Sequence, residues 1–194
     1  MEIFFSTNSS ILLVIALLSG FVKGVSGFAM PLIMFSGFLL FLPQETAIAL
    51  IIFPSLISNL FQIFGLNLVE IRRFFFEYSL LIVCCFVMVF STSQLFIHFS
   101  KIFIYGALFI MIFCFLYSQI LSVQFSFKRD NKLAQLIFGL ISGMFGGISG
   151  QWGPPLVIFF LSQNLPSKII IGYQGIIYSI ASSALLFGHL NTGI

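Results

Sequence analysis

The stretch GFVKGVSGFAMP, Gly20 to Pro31, interrupts an apolar run that extends from Ile11 to Leu42. A second apolar run, Leu133 to Leu165, is interrupted by GLISGMFGGISGQWGPP, Gly139 to Pro155. Each run is too long for one straight span, because about 20 apolar residues cross the hydrocarbon as a helix. Glycine weakens a helix and proline removes a backbone donor. Both runs are therefore predicted to form broken helices.

Four other segments are continuous and apolar over the length of a span: Thr46–Gly65, Phe76–Leu95, Ile102–Leu121 and Ile169–Gly188. Each is predicted to be helical, because hydrocarbon offers an open backbone no hydrogen-bond partner. The composition agrees, since the chain is 60% hydrophobic and only 7% charged, whereas soluble domains are about 25% charged. The sequence predicts an all-α polytopic membrane protein of the cell's inner (plasma) membrane, surrounded by the lipid bilayer.

The two interrupted runs share a pattern that predicts an internal repeat. Gly20-x3-Gly24 is matched to Gly139-x3-Gly143, with about five extra residues in the second glycine-rich turn. Farther along, 22 residues separate Pro43 from Gly65, and 22 also separate Pro166 from Gly188. Apolar composition alone would not place glycine and proline in this order twice, so we expect two related halves.

The repeat predicts a division of the chain into three parts. Residues 1–122 form the first transmembrane repeat, residues 123–132 a basic cytoplasmic loop, and residues 133–194 a second, truncated repeat. Each repeat opens with a helix broken by glycine and proline.

Basic residues set the expected orientation, because short cytoplasmic loops are enriched in lysine and arginine. Arg72–Arg73 and Lys128–Lys132 lie two spans apart and therefore share a side, predicted to be cytoplasmic, while Lys101 lies opposite. If each interrupted run crosses once, Lys168 lies outside and the repeats are parallel. If each folds back, Lys168 is cytoplasmic, the N-terminus is outside and the repeats are inverted. The second arrangement leaves fewer loop cations outside and is preferred.

Broken helices at corresponding places of two repeats indicate a transporter, because their unpaired backbone groups can bind a solute inside the membrane. Half-helix N-termini favour anions. Close helix packing through glycine is the alternative explanation. We expect a small anionic solute and these substrate-binding residues: Lys23, Gly24, Ser26, Gly27, Pro31, Asn59, Gly147, Ser149, Gly150, Gln151, Trp152, Gly153, Pro154, Pro155 and Gln174.

Lys23 is the most informative side chain, because a cation within the membrane is costly and usually functional. It either neutralises a bound anion or extends its ammonium to the membrane interface. The matching position of the second run is Ser142, so the charge has no counterpart there. Trp152 either lines the pocket or anchors at an interface.

Other polar residues supply candidate hydrogen bonds. Ser26, Ser149 and Gln151 are expected to donate to a solute oxyanion. Asn59 and Gln174 lie within long spans, where solute contact and helix–helix hydrogen bonding are equally open.

Residue types that carry catalysis are sparse. Cys84, Cys85 and Cys114 lack metal-ligand spacing and are interpreted as small apolar side chains. His98 and His189 fall at span ends, where we expect solvated or interfacial side chains. The sequence has no Walker loop, HExxH or GxSxG motif, and its cations are scattered among loops, which argues against nucleic-acid binding. We therefore predict that the protein is not an enzyme and that it has no catalytic residue, no metal and no cofactor.

The second interruption resembles a known motif. GGISGQWGPPLVIFFL, Gly146 to Leu161, is similar to a branch of the sulfite exporter TauE/SafE family whose second motif contains W-G-P-P, and Tyr173-Gln174-Gly175 fits the same branch. The resemblance extends from about Leu12 to Leu190. It implies a permease for sulfite, sulfonates or related organosulfur anions.

The family pattern has spans in its second half that are not found here, namely the counterparts of Phe76–Leu95 and Ile102–Leu121. This departure implies a truncated product, or one completed by a partner chain or a homo-oligomer. A non-transporting or fragmentary membrane subunit that needs a partner chain is the alternative function.

Overall fold

A computed structural model describes residues 7–120 and 127–192, and these residues form helices joined by turns. Within these ranges, five helices are long and apolar enough to cross a membrane, and a bent pair makes a sixth if it counts as one span. The prediction of an all-α polytopic membrane protein is confirmed. The helices are α1 Thr7–Ser26, α2 Met30–Phe38, α3 Gln44–Ile63, α4 Leu68–Glu77, α5 Ser79–Gln94, α6 Lys101–Ile120, α7 Lys132–Ser149, α8 Gly153–Leu161 and α9 Ser167–Thr192.

The predicted span Phe76–Leu95 begins differently in the structure. A break at Tyr78 separates α4 from α5, and the two helix axes differ by 73°. Helix α4 has its own start signal, a capping box in which the Asn67 side chain accepts from Glu70 N and Glu70 accepts from Asn67 N. Such a box satisfies free donors of a helix N-terminus. The last residues of the predicted loop at 123–132 lie in the described range, whereas residues 123–126 lie outside it.

Both interrupted runs fold back on themselves. Helix α2 returns along α1, so that a Cβ on Gly37 would lie 2.8 Å from Ile15 Cγ2. Helix α8 returns along α7, and the rings of Phe138 and Phe159 lie 5.5 Å apart. The arrangement in which each run turns back is therefore the one that the structure has.

The ends of the helices confirm this topology. At one end of the bundle, Lys101 Nζ donates to Leu42 O over 3.5 Å. At the other end, a Cβ on Gly65 would lie 3.8 Å from Lys168 Cε. Lys168 thus lies beside the end of α3 that leads to Arg72, and Lys101 lies at the opposite end. Which end faces the cytoplasm stays a prediction from the distribution of charge.

Helix boundaries recur along the chain at one offset. Helix α1 ends at residue 26 and α7 at 149; α2 covers 30–38 and α8 covers 153–161; α3 begins at 44 and α9 at 167. Each boundary lies 123 residues after its counterpart. This register pairs Gly20 with Gly143, not with Gly139, and needs no insertion. The extra residues expected in the second turn are instead helical, because α7 continues to Ser149.

Contacts around the two breaks follow the same offset. A Cβ on Gly27 would meet Gln174, Ile171 and Gln62; a Cβ on Gly150 would meet Ile51, Ile48 and Leu185. Adding 123 to a residue of the first half, or subtracting it from one of the second, converts one set into the other. The two halves therefore pack about a pseudo-two-fold axis, as inverted repeats do. A common origin of the halves stays a prediction.

Helices α3 and α9 cross at the centre of the fold in opposite directions. Gly172 of α9 lies against Leu66, just beyond α3, and a Cβ on Gly175 would lie 2.9 Å from Asn59 O. Helix α5 packs closely on α7 and α9. This arrangement brings the first break, the second break and the middle of α3 to one place.

Candidate functional site

Each break is made by residues in the left-handed backbone region. Gly27 has a φ of 80°, Ala29 a φ of 58° and Gly150 a φ of 69°. Glycine adopts this region without steric cost, whereas a Cβ makes it unfavourable. Prolines then occupy the first turns of the returning helices, where no intrahelical donor is needed. The predicted glycine and proline interruptions are thus real breaks in the helices.

The two breaks meet. A Cβ on Gly153, the first residue of α8, would lie 3.3 Å from Phe28 Cδ2 in the first break. Tyr178 of α9 donates from its hydroxyl to Gly153 O over 3.3 Å and so fixes the start of α8. The N-terminal ends of α2 and α8 are therefore brought to a shared region.

Lys23 lies in the last turn of α1 and is only 5% exposed. Its ammonium donates to Ser58 Oγ over 2.8 Å and to Asn59 Oδ1. Both acceptors are neutral, so neither balances the charge. An ammonium has three N–H donors, and these two contacts use two of them. Lys23 is thus a buried lysine whose two described hydrogen-bond partners, Ser58 and Asn59, are uncharged.

Asn59 links this cation to the second half of the fold. Its Nδ2 donates to Ser182 Oγ over 3.1 Å, and the Ser182 hydroxyl donates to Tyr178 O over 2.8 Å. Ser58 in turn donates to Ser55 O over 2.9 Å. Because each donor is directed elsewhere, an acceptor oxygen of Ser58 and of Asn59 is left facing Lys23. The network therefore has the polarity that a bound ammonium requires.

A small cavity lies where these elements converge. Its volume is about 10 Å³, roughly that needed for one water. Many of the predicted site residues line it, together with Phe28 and Tyr178. The predicted residues in its lining are Lys23, Pro31, Asn59, Gly150, Gln151, Trp152 and Gly153. Trp152 is 2% exposed and belongs to this lining, which favours the first of its two predicted uses.

A larger crevice of about 400 Å³ reaches Lys23 from the side of α1 and α3. Predicted residues Gly24 and Gly27 line it, as does Gln62. The Gln62 Nε2 donates to Gly27 O over 2.5 Å and so holds the first break. Gln174 approaches the same break, since its Oε1 would lie 3.3 Å from a Cβ on Gly27. Lys23 therefore lies between the crevice and the central cavity.

The remaining predicted site residues lie elsewhere. The hydroxyls of Ser26 and Ser149 donate within their own helices, to Val22 O and Phe145 O. Gly147 packs against α5, and Pro154 and Pro155 line an apolar pocket beside α6. These five residues lie at helix ends and packing surfaces and are not in the described lining of the Lys23 cavity.

The histidine prediction is half correct. His98 is exposed, as expected for a span end. The prediction for His189 is wrong, because this residue is only 1% exposed and its ring lies 5.3 Å from that of Phe96. Helix α9 continues to Thr192, so His189 lies inside a helix that packs against the core.

Three residues that hydrogen-bond around the cavity were not predicted from the sequence: Ser58, Tyr178 and Ser182. Ser58 directly precedes Asn59, and Ser182 follows Asn59 by 123 residues. An ungapped match of the two halves at that offset would have paired Asn59 with Ser182. No comparable sequence signal distinguishes Tyr178 from other aromatic residues of α9.

Fold-back broken helices with a buried polar cluster at their meeting point are features of membrane transporters that bind solutes at interrupted helices. A family model described as Sulfite exporter TauE/SafE matches residues 12–194. The chain therefore belongs to the TauE/SafE family of membrane transporters, as the sequence resemblance predicted. No curated protein matches the chain significantly, and no solved structure does.

Proposed function

We propose that the protein is a permease for small anions, namely sulfite, sulfonates or related organosulfur anions, in the inner membrane. The anion binds between the two broken helices, and Lys23 supplies its counter-charge. The observation that carries this proposal is the burial of Lys23 among neutral acceptors.

Electrostatics favour an anion as the partner of Lys23. Burying an ammonium costs several kcal/mol unless it is paired, and Ser58 and Asn59 offer only dipoles. An anion beside Lys23 would restore much of the lost solvation. Within the described residues, two of the three N–H donors of the ammonium are directed at Ser58 and Asn59.

The broken helices add to this preference. The N-terminal turn of a helix carries partial positive charge and unpaired N–H groups. The first turns of α2 and α8 contribute Pro31 and Gly153 to the cavity wall. The side-chain amide of Gln151 lies in the same wall. Pro31 has no N–H, so the donors in this wall include the Lys23 ammonium, the Gly153 backbone and the Gln151 amide, whose Nε2 already donates to Ser149 O over 3.2 Å.

The cavity must enlarge for the anion to bind, because about 10 Å³ holds no more than a water. The crevice beside Lys23 supplies the approach from one side. Movement at Gly27 and Gly150 would open the cavity, since hinge residues absorb changes in backbone angle. Alternation between openings at the two breaks would carry the anion across the membrane.

Flux into proteoliposomes tests the proposal. Wild-type protein is expected to exchange sulfite or a short sulfonate above the background of empty vesicles. Lys23→Met keeps a side chain of similar length but removes the charge, and it is expected to lower the initial rate of flux at least tenfold. A tenfold loss corresponds to about 1.4 kcal/mol of activation free energy. Lys101→Met, at an exposed lysine, is the matched control and should transport normally. Equal flux for wild type and Lys23→Met would contradict the proposed site.

A further inference from the structure

Helix α4 presents an exposed face that combines apolar side chains with one arginine. Leu68, Val69, Phe75 and Phe76 are between 47% and 84% exposed. With 3.6 residues per turn, these four side chains fall within an arc of about 120° around the helix. The exposed residue Arg72 lies at the middle of that arc. This surface, the Arg72 face, therefore places a cation at the centre of an area that is otherwise suited to hydrocarbon.

The bend at Tyr78 turns α4 away from the direction of the membrane spans. Helix α5 packs along α7 and α9, and α7 and α9 are each long and apolar enough to cross a membrane. The axes of α4 and α5 differ by 73°, so α4 runs much closer to the plane of the membrane than to its normal. Amphipathic helices in this orientation lie at the membrane interface, with their apolar side chains at the boundary between headgroups and acyl chains.

Contacts on the opposite side of α4 hold it in this orientation. Lys132 Nζ and Gln135 Nε2, both on α7, donate to Glu77 O over 3.4 and 2.8 Å. Phe74 is fully buried, and its ring lies 4.8 Å from that of Tyr173 on α9. The inner side of α4 is therefore attached to two spans, and the Arg72 face is left on the outside.

The two arginines of α4 have different surroundings. Arg73 Nε lies 3.7 Å from Glu77 Oε1, and this pair lies on the polar side of the helix. The guanidinium carbon of Arg72 lies 5.6 Å from the centre of the Phe76 ring, and no carboxylate of residues 7–120 or 127–192 forms an ion pair with it. A guanidinium presents its N–H donors in a planar fork that matches the oxygens of a phosphate. Arg72 thus has the chemistry to bind a phosphate group.

We propose that the Arg72 face binds an anionic phospholipid of the adjacent leaflet. Arg72 donates to the lipid phosphate, while Leu68 and Phe76 contact the first methylene groups of the acyl chains. Phosphate groups lie at the depth of the membrane interface, which is where the orientation of α4 places Arg72. A protein segment packed on this face would instead bury a guanidinium that has no described carboxylate partner, which is unfavourable.

Neighbouring cations favour a lipid with net negative charge. Lys132 lies at the C-terminal end of α4, and Lys168 lies beside Gly65, just before α4 begins. Basic residues that cluster near a membrane surface attract anionic lipids. The end of the bundle that carries Arg72 therefore selects an anionic lipid over a zwitterionic one. This inference concerns contact with lipid and does not rest on which solute is transported.

Fluorescence quenching in nanodiscs tests the location of the Arg72 face. A variant whose three cysteines are replaced by serine carries a bimane label at Val69→Cys or Phe76→Cys, on the face, or at Arg73→Cys, on the polar side. We expect a phospholipid with a spin label near its headgroup to quench the labels at positions 69 and 76 more strongly than the label at position 73, and iodide to show the reverse order. If iodide quenches all three labels alike, the face lies in water. If neither quencher reaches positions 69 and 76, the face is covered by protein, and either result overturns the proposal.

A lipid titration tests the ligand. Short-chain phosphatidylglycerol, added to the purified protein in detergent, should raise its thermal unfolding temperature, because a ligand that binds only the folded state stabilises it. Arg72→Gln should raise the concentration needed for half of this effect by about fivefold or more, as expected for one cation at an anionic surface. Arg73→Gln removes the same charge from the polar side and should raise that concentration by no more than about twofold, because exposed ion pairs contribute little.

Two comparison ligands separate an anionic lipid from other sources of phosphate. Phosphatidylcholine of the same chain length carries a phosphate without net charge, and inorganic phosphate carries the charge without acyl chains. Neither should stabilise the protein at the concentrations at which phosphatidylglycerol does. The absence of stabilisation by phosphatidylglycerol, equal effects of the two arginine substitutions, or equal stabilisation by either comparison ligand would each show that the Arg72 face is not a site for anionic phospholipid.

Discussion

Asn59 donates a hydrogen bond to Ser182, the residue that follows it by 123 positions. Since this offset relates the two halves of the fold, the bond joins equivalent residues and lies close to the pseudo-two-fold axis. Lys23 bonds to Asn59 from one side only, because its counterpart is Gly146. The backbone of the site therefore follows the pseudo-two-fold relation, whereas its positive charge comes only from Lys23 of the first half. A solute at the axis would meet a cation on one side and an uncharged wall on the other.

Alanine at Gly150 should destabilise the protein. The left-handed backbone costs an L-residue about 1–2 kcal/mol, and the new Cβ would lie 2.9 Å from Ile51 Cδ1. Gly27→Ala has the same backbone penalty, but the nearest atom to its new Cβ, Gln174 Oε1, would be farther away, at 3.3 Å. Unfolding by a denaturing detergent should show a larger loss for Gly150→Ala than for Gly27→Ala. Unchanged stability of Gly150→Ala would mean that the second break is not built as described.

Alanine at Gly143 and alanine at Gly20 should act in opposite directions, although the two positions are equivalent. At Gly143 the Cβ would lie 2.5 Å from Met88 Cβ and 2.8 Å from Cys85 O, and overpacking of this kind costs about 1–3 kcal/mol. At Gly20 the Cβ would meet no atom of residues 7–120 or 127–192 within 4 Å, so the gain in helix stability is about 0.5–1 kcal/mol. Unfolding curves of the isolated protein measure the difference. Equal destabilisation by both would show that the α1 face is already covered in the isolated protein.

The fold-back of both broken runs predicts the sidedness of the loops. Cysteine at position 168 should share its side with cysteine at position 72, and cysteine at position 101 should label from the opposite side. With positive-inside topology, Lys168→Cys and Arg72→Cys are accessible from the cytoplasm. A membrane-impermeant thiol reagent, applied to intact cells and to inverted vesicles of a variant without native cysteines, distinguishes the sides. Labelling of Lys168→Cys together with Lys101→Cys would contradict the topology.

Much of the fold can be predicted from the sequence, because a chain in hydrocarbon must satisfy its backbone hydrogen bonds internally. Long apolar segments must be helices, and glycine with proline must interrupt them, so the breaks near Gly27 and Gly150 were predicted. The offset that aligns the two halves was not predicted. The segment from Gly139 to Gly150 is so rich in glycine that several alignments with the first half look alike. Only the helix ends distinguish them. The break at Tyr78 was also missed, since the segment Phe76–Leu95 contains no glycine or proline that would indicate it.

The site was predicted in part for a similar reason. Lys23 and Asn59 are conspicuous in apolar helices, and both lie in the cavity. Ser26 and Ser149 were placed there because hydroxyls can bind oxyanions, yet each donates to a carbonyl of its own helix. Serine commonly makes that bond within helices. Sequence cannot tell which carbonyl a hydroxyl selects.

The link between Asn59 and Ser182 predicts a measurable coupling. Ser182→Ala removes the acceptor of Asn59 Nδ2, and Asn59→Ala removes the same bond together with one acceptor of Lys23. Hydrogen bonds between transmembrane helices contribute about 0.6 kcal/mol on average, so a double-mutant cycle of unfolding free energies should return a coupling of that order. In flux assays, Asn59→Ala should be more damaging than Ser182→Ala, because it alone removes an acceptor of the cation. Thr92→Ala, a hydroxyl loss between α5 and α7, provides the control for general loosening of the bundle. If Ser182→Ala abolishes flux while Asn59→Ala preserves it, Lys23 is not oriented through Asn59.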